Sequence, residues 1–423
     1  PEDMIKRNRV LDTVKRIFES YGYAPLETPA FESLEMLKLK SGEDIIDQIY
    51  YFKDKSGREL GLRFEMTVSM ARVVASRRDL QLPFKRYAIG PVWRYERPGA
   101  GRLREFYQAD VDIVGTDDPL SDAEVISVAV ACLRALGFED FQIRINDRRI
   151  LEGFMEIVEI SKEKSLDVLR ALDKLDKIGR GGVEESLEAM GIDREEAGRL
   201  LEFTDLKGSP EAVLEEVRRL LSGREAYLIG CESLEGIVEY AELLGFSQYL
   251  MVDLSLARGL DYYTGPVFEI GLSGEEVGSV AGGGRYDQLI ELYGGRPTPA
   301  TGISLGIERI MTLLEQRGFF EPVKTRTQVF VAYTSTSLRK EAIRIAGRLR
   351  EAGLRVDMDL MGRNLSNQLE YVDKKGIGLA VIVGERELGE GCVALRDMRK
   401  EEQTNVSLED LAEEVRARLP ADS

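Results

Sequence analysis

The sequence predicts an α+β protein in three parts, and three features of the chain lead to this prediction. Two β-type runs within Phe84 to Gly115 are joined by a short turn-forming loop, which predicts an antiparallel sheet. The segment from Ser161 to about Leu221 is charged and helix-forming. Strands and helices alternate after Gln328, which is typical of βαβ units. We therefore expect an α+β domain at 1–160 and 222–320, a helical insertion domain at 161–221 and an α/β domain at 328–423.

Length and charge limit the classes of function. The chain has 423 residues, enough for two or three domains with proper cores. Its 58 Lys and Arg residues against 75 Asp and Glu residues give a formal net charge of -17. Bulk charge would not hold such a chain to nucleic acid, so RNA binding requires local basic patches.

Histidine is absent from the chain, and the three cysteines are far apart in sequence. The first fact excludes Ser-His-Asp and Cys-His catalysis and imidazole metal ligands. The second gives no indication of a zinc site or a disulfide framework. The segment Gly302 to Gly306 matches the G-x-S-x-G pattern of hydrolases, but Ser304 has no histidine to activate it. We predict no protein metal site, and catalysis must depend on carboxylates, arginines and bound ions.

The chain also predicts a cytoplasmic location. A reducing compartment fits the scattered cysteines. No apolar run approaches the ~18 residues of a membrane span, and the sequence starts with polar, charged residues instead of a signal peptide.

The first part of the chain alternates between helical and extended segments. Apolar residues recur at helical spacing and predict a helix from about Glu2 to Tyr21. Tyr23 to Phe31 predicts an extended segment that two prolines keep at a sheet edge or an interface. Further on, the alternation over Glu59 to Met66 predicts a strand, which would put three polar residues on one face: Arg63, Glu65 and Thr67.

Basic residues flank the loop of the predicted hairpin. The first strand ends at Glu96 and the second restarts at Leu103, with Arg97 and Arg102 at the ends of the loop. Arg94 points to the same side of the first strand as Glu96, because side chains alternate with a period of two.

The second strand of the hairpin carries a row of polar side chains, namely Gln108, Asp110 and Asp112. Their spacing places them on one face of the sheet. A half-exposed sheet gives the same pattern, so the residues alone leave open a binding face and a solvated face.

Between Asp253 and Ile270, two strand-like apolar pieces enclose a polar segment. Glycines interrupt the strands and aim side chains away from the sheet, which predicts a lined site. The polar segment contains Arg258, Asp261, Tyr262 and Tyr263. The residues alone also allow a structural role, in which the arginine and aspartate form a buried ion pair and the tyrosines belong to the core.

Two further elements carry cationic residues. Thr301 to Gly306 predicts a strand and Ile307 to Arg317 a helix, with Arg309 in its first turn, an arrangement that suits phosphate. Near the C-terminus, a helix predicted at Ser337 to Ala352 has three basic residues at i, i+4 spacing: Lys340, Arg344 and Arg348. A solvated helix face is the commoner cause of such a stripe.

Taken together, these segments resemble histidyl-tRNA synthetases. RGLDYYTG at 258–265 followed by VFE, and AGGGRYDQL at 281–289, resemble the two signature peptides of that family. YAPLETPAF at 23–31, the hairpin at 84–115 and GISLGIERI at 302–310 resemble motifs 1, 2 and 3 of class II synthetases, in the same order. The C-terminal domain resembles the anticodon-binding domain shared by the histidyl, prolyl, threonyl and glycyl enzymes. The resemblance covers nearly the whole chain and implies the class II catalytic fold.

The resemblance implies a ligase. It would activate L-histidine with ATP to histidyl-adenylate and transfer the histidyl group to tRNA(His). Mg²⁺ would accompany the ATP, and motif 1 would form a homodimer. The carboxylate of the substrate attacks the α-phosphorus, so the protein needs no nucleophile and contributes alignment and charge.

The resemblance also implies a role for each matching residue. The catalytic arginines, which would bind the α-phosphate and the substrate carboxylate, are Arg94 and Arg258. Together with those two, the ATP site would contain Glu96 and Arg309. The histidine site would contain Glu65, Thr67, Gln108, Asp112, Tyr262 and Tyr263, with Asp112 and Tyr263 addressing the two ring nitrogens. The tRNA-binding residues would be Arg97, Arg102, Lys340, Arg344 and Arg348. Arg285 would belong to the wall beside the substrate.

One residue departs from the family pattern. Asp112 stands where the better-known bacterial members have Glu, which is one methylene longer, so its carboxylate must reach the ring through a shifted strand or a water molecule.

Two alternatives to this function remain. The first is a non-catalytic regulatory relative that partners ATP phosphoribosyltransferase in histidine biosynthesis. That relative lacks the anticodon domain and usually loses the signature arginine, whereas both are present here. The second is another synthetase with the same C-terminal domain, against which RGLDYY and GGGRYD argue.

Overall fold

The computed structural model of the chain describes residues 1–39, 46–77, 79–97, 99, 103–257, 262–272, 278–320 and 324–419. The chain divides into two compact units, Val10–Phe319 and Phe320–Ser423, the second together with Pro1–Arg9. Within the described ranges, no helix is both long and apolar enough to cross a membrane.

The strands before residue 320 are β1 (Ala24–Pro25), β2 (Phe31–Ser33), β3 (Tyr51–Lys53), β4 (Glu59–Leu62), β5 (Phe84–Trp93), β6 (Glu105–Val114), β7 (Phe141–Asp147), β8 (Leu250–Val252), β9 (Pro266–Leu272), β10 (Ala281–Arg285) and β11 (Ala300–Gly306). The helices are α1 (Glu2–Ser20), α2 (Leu34–Lys38), α3 (Thr67–Ser76), α4 (Pro119–Ala135), α5 (Arg148–Ile157), α6 (Ser165–Leu172), α7 (Leu175–Ala189), α8 (Arg194–Thr204), α9 (Pro210–Leu220), α10 (Glu225–Leu243), α11 (Leu289–Leu292) and α12 (Ile307–Gln316). Short 3-10 helices cover Lys162–Lys164 and Ser247–Tyr249.

Eight of these strands form one sheet in the order β1-β5-β6-β11-β10-β9-β7-β8. The six central strands pair antiparallel, and β1 and β8 add in parallel at the edges. The predicted hairpin is confirmed as β5 and β6, although its strands stop at Trp93 and resume at Glu105. Strands β2, β4 and β3 form a separate sheet.

The predicted N-terminal helix is confirmed, because Val10, Val14 and Phe18 of α1 are buried on one face. The segment predicted to be helical between Ser161 and Leu221 contains the helices α6 to α9. Gly179 interrupts α7 with a φ of 71°, a left-handed conformation that glycine adopts without strain.

The strand predicted over Glu59 to Met66 is wrong beyond Leu62, where β4 ends. The carboxylate of Glu65 accepts hydrogen bonds from the backbone N–H groups of Thr67 and Val68, both at 2.6 Å. These are first-turn donors that have no partner within a helix. Glu65 therefore caps α3, and the chain turns into a helix where the alternation predicted a continuing strand.

The second unit contains a five-stranded sheet in the order β13-β12-β14-β15-β16. Its strands are β12 (Val329–Tyr333), β13 (Val356–Met358), β14 (Leu379–Val383), β15 (Cys392–Asp397) and β16 (Glu402–Ser407). Its helices are α13 (Arg339–Glu351), α14 (Leu365–Lys375), α15 (Glu385–Gly389) and α16 (Leu411–Arg418), and Thr336–Leu338 is a 3-10 helix.

The sheet of the second unit is mixed. Strands β13, β12 and β14 pair in parallel, which confirms the predicted βαβ units. Strands β15 and β16 add an antiparallel hairpin, so the expectation of a largely parallel sheet holds for one side only. Both faces are buried, because Val331 and Tyr333 belong to one apolar cluster and Phe330 and Ala332 to another.

Candidate functional site

A cavity lies beside the central strands of the eight-stranded sheet. It contains about 440 Å³ of empty space, part of it open to solvent. The polar and charged residues of its wall include Glu65, Thr67, Arg94, Gln108, Asp110 and Asp112. Tyr262 and Tyr263 also line it, so the structure brings together seven of the predicted site residues and adds Asp110.

The floor of the cavity is the polar face of β6, which carries Gln108, Asp110 and Asp112. The residues that pair with them on β11 are Gly306, Ser304 and Gly302. These short residues leave space above the carboxylates. A Cβ atom at Gly302 would overlap the Asp112 carboxylate, which accounts for glycine at this position.

Asp112 is held from two sides. Its Oδ2 lies 2.6 Å from Nη2 of Arg86, and its Oδ1 accepts a hydrogen bond from the Tyr286 hydroxyl. Burial raises the pKa of the Asp112 carboxyl, and the Arg86 guanidinium opposes this rise. The carboxylate is therefore fixed in position before any ligand arrives.

Asp110 lies in the same row with different partners. Burial raises the pKa of its carboxyl to about 7; Arg86 lowers this pKa, and Asp112 raises it. The Ser304 hydroxyl hydrogen-bonds to the Asp110 carboxylate, and it also accepts a 2.8 Å hydrogen bond from Nε2 of Gln108. Gln108 Oε1 and Asp110 Oδ1 are buried without a hydrogen-bond partner among the described residues.

Glu65 and Thr67 form the wall at the start of α3. Because the Glu65 carboxylate already accepts two backbone N–H groups, its position is set by the helix terminus. Burial raises the pKa of this carboxyl, and the two backbone hydrogen bonds lower it. Each carboxylate oxygen retains a further lone pair with which to accept a ligand donor.

Three tyrosines close the cavity on another side. Tyr262 and Tyr263 are almost fully buried, with ring centroids 5.0 Å apart. Tyr262 also meets Tyr286 edge to face at 5.8 Å. Burial raises the pKa values of Tyr262 and Tyr286, so both hydroxyls stay protonated near neutral pH and can donate hydrogen bonds.

Arg94 reaches the cavity from just beyond the end of β5. Its Nε donates to the carbonyl oxygen of Phe64 at 3.0 Å, and its guanidinium lies 5.2 Å from the Phe106 ring centroid. These contacts orient a planar cation at the cavity wall, a geometry suited to phosphate or carboxylate oxygens.

The segment that leads to Arg258 is anchored from β7. The buried Nδ2 of Asn146 donates to the carbonyl oxygens of Leu254, at 3.2 Å, and Leu256, at 3.0 Å. Arg144 forms a 2.7 Å ion pair with Asp253. The chain is thus held in place up to Ala257, while Arg258 itself lies outside the described residues, as does Arg102.

Other predicted site residues stand outside the cavity wall. In the described part of the chain, Glu96, Arg97 and Arg309 are not among the lining residues. Arg309 lies in the first turn of α12, as predicted, and donates to the Ser279 carbonyl oxygen. Arg97 is exposed beyond β5.

The expectation that Arg285 lines the substrate site is wrong. Its guanidinium forms a buried 2.6 Å ion pair with Asp122 of α4 and donates to Ser121 at 2.9 Å. Gly282 and Gly283, which precede it, do line the cavity. Arg285 therefore ties β10 to a helix.

The basic stripe of the second unit is solvent-exposed. Lys340, Arg344 and Arg348 follow one face of α13, and all three are exposed. Arg344 also pairs with Glu341 on the same helix. A polyanion could therefore contact this face directly.

Sequence reasoning missed Arg86 and Tyr286. Arg86 lies eight residues before Arg94 in an apolar strand and gives no signal as a site residue. The hairpin register could have found it, because the pairing of Gly90 with Gln108 places Arg86 opposite Asp112. Tyr286 follows the glycine run, but nothing in the sequence shows that its hydroxyl reaches β6.

Comparison with known proteins identifies the family and its fold. Residues 1–310 match the family model described as histidyl-tRNA synthetase. The chain belongs to the histidyl-tRNA synthetase family. Residues 328–418 match the family model described as anticodon binding domain.

Relatives and solved structures agree with this family. The chain is 42% identical to Histidine--tRNA ligase of Aeropyrum pernix, over 100% of this chain and 96% of the relative. It is 39% identical to Histidine--tRNA ligase of Thermococcus kodakarensis, over 98% of this chain and 95% of the relative.

Among solved structures, histidyl-tRNA synthetase from Nostoc sp. PCC 7120 superposes with a TM-score of 0.87 at 34% identity, over 99% of this chain and 97% of that chain. A Bacillus halodurans structure described as an ATP phosphoribosyltransferase regulatory subunit/histidyl-tRNA synthetase gives a TM-score of 0.76 at 26% identity, over 91% of this chain and 95% of that chain.

Proposed function

We propose that the chain activates L-histidine with ATP, forming histidyl-adenylate and pyrophosphate, and then transfers the histidyl group to the terminal ribose of tRNA(His). The observation that carries this proposal is the cavity, where fixed carboxylates, tyrosine hydroxyls and an arginine face one another in a chain of this family. Such a set of groups suits a small zwitterion with a polar ring.

Alignment and charge account for the first step. The substrate carboxylate attacks the α-phosphorus in line with the pyrophosphate leaving group, so no protein nucleophile is required. The absence of histidine from the chain is therefore no obstacle. Arg94, oriented by Phe64 and Phe106, would stabilise negative charge that develops on the α-phosphate. We assign the second clamp to Arg258 by its position in the signature peptide.

Asp112 and Tyr263 would bind the imidazole. Arg86 and Tyr286 hold the Asp112 carboxylate, which keeps lone pairs free to accept a ring N–H. The Tyr263 hydroxyl would bind the second ring nitrogen, and Tyr262 would pack beside it. A site that hydrogen-bonds both nitrogens rejects apolar analogues strongly, because its own buried polar groups would be left unpaired.

Glu65, Thr67 and Gln108 would bind the α-amino group of the substrate. Two of them contribute oxygen acceptors in the cavity wall, namely the helix-capping carboxylate of Glu65 and the buried Oε1 of Gln108. An ammonium group has three donors and no acceptor, so oxygen acceptors suit it.

ATP would extend from this site toward Glu96 and Arg309. Mg²⁺ would arrive with the nucleotide and be held chiefly by phosphate oxygens.

The tRNA would contact both compact units. The loop residues Arg97 and Arg102 would meet the acceptor end, and the stripe of Lys340, Arg344 and Arg348 would contact the RNA backbone. We assign residues 161–221 to the insertion domain and 328–423 to the anticodon-binding domain. This partner also favours a cytoplasmic location.

A homodimer is proposed from the small sheet of β2, β3 and β4. Phe31, Tyr51 and Phe52 are exposed by 50%, 69% and 43% on β2 and β3, the two strands that flank β4. The rings of Phe31 and Phe52 contact edge to face at 6.1 Å. Exposed aromatic clusters of this kind mark protein interfaces, and this sheet begins within the motif 1 segment.

A regulatory role with ATP phosphoribosyltransferase is the weaker alternative, because the chain retains the anticodon-binding domain at 328–418. ATP–pyrophosphate exchange measured with each of the twenty amino acids decides between the ligase and the regulatory role. We expect exchange with L-histidine alone. Exchange with none would contradict the enzyme proposal, and exchange with another amino acid would contradict the assigned substrate.

A further inference from the structure

Ser304 lies in the cavity wall without a role in the reaction so far described. It belongs to the G-x-S-x-G pattern of residues 302–306, where the absence of histidine excludes it as a nucleophile. In the pairing of β6 and β11 it stands directly opposite Asp110, so the two side chains share the cavity face.

The hydrogen bonds around Ser304 have a defined direction. Nε2 of Gln108 lies 2.8 Å from Ser304 Oγ. An amide NH₂ group only donates, so Ser304 accepts this bond and its own proton is free for another partner. That partner is the Asp110 carboxylate, which accepts from the hydroxyl. The order of donation is Gln108 to Ser304 to Asp110.

This order fixes the Gln108 side chain. Because its nitrogen is directed to Ser304, its Oε1 points away from Ser304, and Gln108 is one of the residues of the cavity wall. Within the part of the chain that the structure describes, this buried oxygen has no hydrogen-bond partner. A buried acceptor without a donor is costly, so the site is completed when a ligand N–H occupies it.

We infer that Asp110 and Ser304 are positioning residues that orient the Gln108 amide so that its Oε1 accepts a hydrogen bond from the α-ammonium group of the amino-acid substrate. The inference deepens the proposed function and rests on it. With Asp110 unable to accept, the Ser304 proton would turn to Gln108, and the amide would rotate to present NH₂ to the ammonium group.

Asp110 is better placed than Asp112 for this role. Asp112 is engaged by Arg86 and Tyr286. Asp110 interacts with Ser304 and keeps Oδ1 without a hydrogen-bond partner in the described ranges. Its carboxyl also interacts electrostatically with that of Glu65, and a substrate cation bound beside it would favour its ionised form.

The test compares L-histidine with 3-(imidazol-4-yl)propionate, which lacks the amino group. Exchange assays give the KM of histidine and the inhibition constant of the analogue for the wild type, Ser304→Ala, Ser304→Thr and Asp110→Ala. Loss of a hydrogen bond to a charged group predicts a rise of roughly tenfold in the KM of histidine for Ser304→Ala and for Asp110→Ala, which removes the acceptor of the Ser304 proton. The inhibition constant should stay within about twofold, and Ser304→Thr, which retains the hydroxyl, should restore most of the affinity.

A double-mutant cycle tests the route through Gln108. In a Gln108→Ala background, Ser304→Ala should raise the KM of histidine no further, because the amide that it orients is gone. The matched control is Ser127→Ala, which removes a buried hydroxyl bonded to Tyr21 outside the cavity. It should leave both constants unchanged.

The outcomes are separable. A wild type that shows no exchange with histidine contradicts the proposed function itself. If the wild type is active, two results overturn the inference and leave the proposed function intact. In the first, Ser304→Ala weakens the binding of histidine and of the analogue equally. In the second, Ser304→Ala raises the KM of histidine further in the Gln108→Ala background. Thermal unfolding of each variant confirms that the constants refer to folded protein.

Discussion

Arg86 and Asp112 stand directly opposite each other on β5 and β6, and their side chains form a 2.6 Å ion pair that is almost completely buried. Nε and Nη1 of Arg86 have no hydrogen-bond partner among the described residues. The guanidinium therefore acts mainly through its charge, which lowers the pKa values of Asp110 and Asp112 against the effect of burial. One cation beside the polar row of β6 thus stabilises two carboxylates of that row.

Replacing this cation should destabilise the fold. Arg86→Met leaves Asp112 buried without its counter-ion, which predicts a loss of about 3–5 kcal/mol in the free energy of unfolding. Adding Asp112→Asn removes the uncompensated charge and should recover part of the loss. Urea denaturation at neutral pH measures both variants. If Arg86→Met is as stable as the wild type, the ion pair contributes nothing to the free energy of unfolding.

Tyr286→Phe removes the hydroxyl that donates to Asp112. A hydrogen bond to a charged group contributes about 1.5–3 kcal/mol, so the KM of histidine in pyrophosphate exchange should rise by roughly tenfold or more. Tyr293→Phe is the matched control, because its hydroxyl donates to the Met36 carbonyl oxygen outside the cavity wall. An equal rise in the KM of histidine in both variants would show that the Tyr286 hydroxyl has no specific role in binding histidine.

Asp110 should make stability depend on pH. Burial raises the pKa of its carboxyl to about 7 in the folded chain, against about 3.9 when unfolded. Between these values the folded state binds more protons than the unfolded state, so the stability due to this difference is present at low pH and lost as the pH rises to about 7.

Asp110→Asn cannot ionise and should lose that dependence. Between pH 5 and pH 8, its stability relative to the wild type should improve by on the order of 2 kcal/mol. Urea denaturation at pH 5 and at pH 8 measures this change in the free energy of unfolding. Ser127→Ala, which alters no ionisable group, is the control. A relative stability that is the same at both pH values would mean that Asp110 keeps an ordinary pKa.

The exposed stripe on α13 should govern the salt dependence of tRNA binding. Neutralising Lys340, Arg344 and Arg348 together removes up to three phosphate contacts and should reduce the slope of log affinity against log salt by about 2–3. The control removes three exposed cations of the same unit: Arg386, Arg399 and Lys400. If the two triple variants shift the slope equally, the stripe has no specific role.

The alternation of polar residues was sufficient to predict the face of β6, because a strand's period of two does not depend on its neighbours. It could not reveal Arg86, whose role depends on the register of two strands. Glu65 was assigned to a strand face, whereas its carboxylate caps α3. The family resemblance placed Arg285 in the wall of the site, yet its partner Asp122 lies far away in sequence. Sequence patterns thus located what depends on local spacing and missed what depends on pairing between distant elements.

If one cavity activates histidine for transfer to tRNA(His), single-turnover transfer should show it. The chain is incubated with labelled L-histidine, ATP and tRNA(His), and the label recovered as an aminoacyl ester on the 3′-terminal ribose is measured. We expect ester formation that requires ATP, with a rate that falls by roughly 10²–10³ in Arg94→Ala, which lacks a cation at the reacting phosphate. Histidine that binds the cavity but is never esterified to tRNA would contradict this expectation.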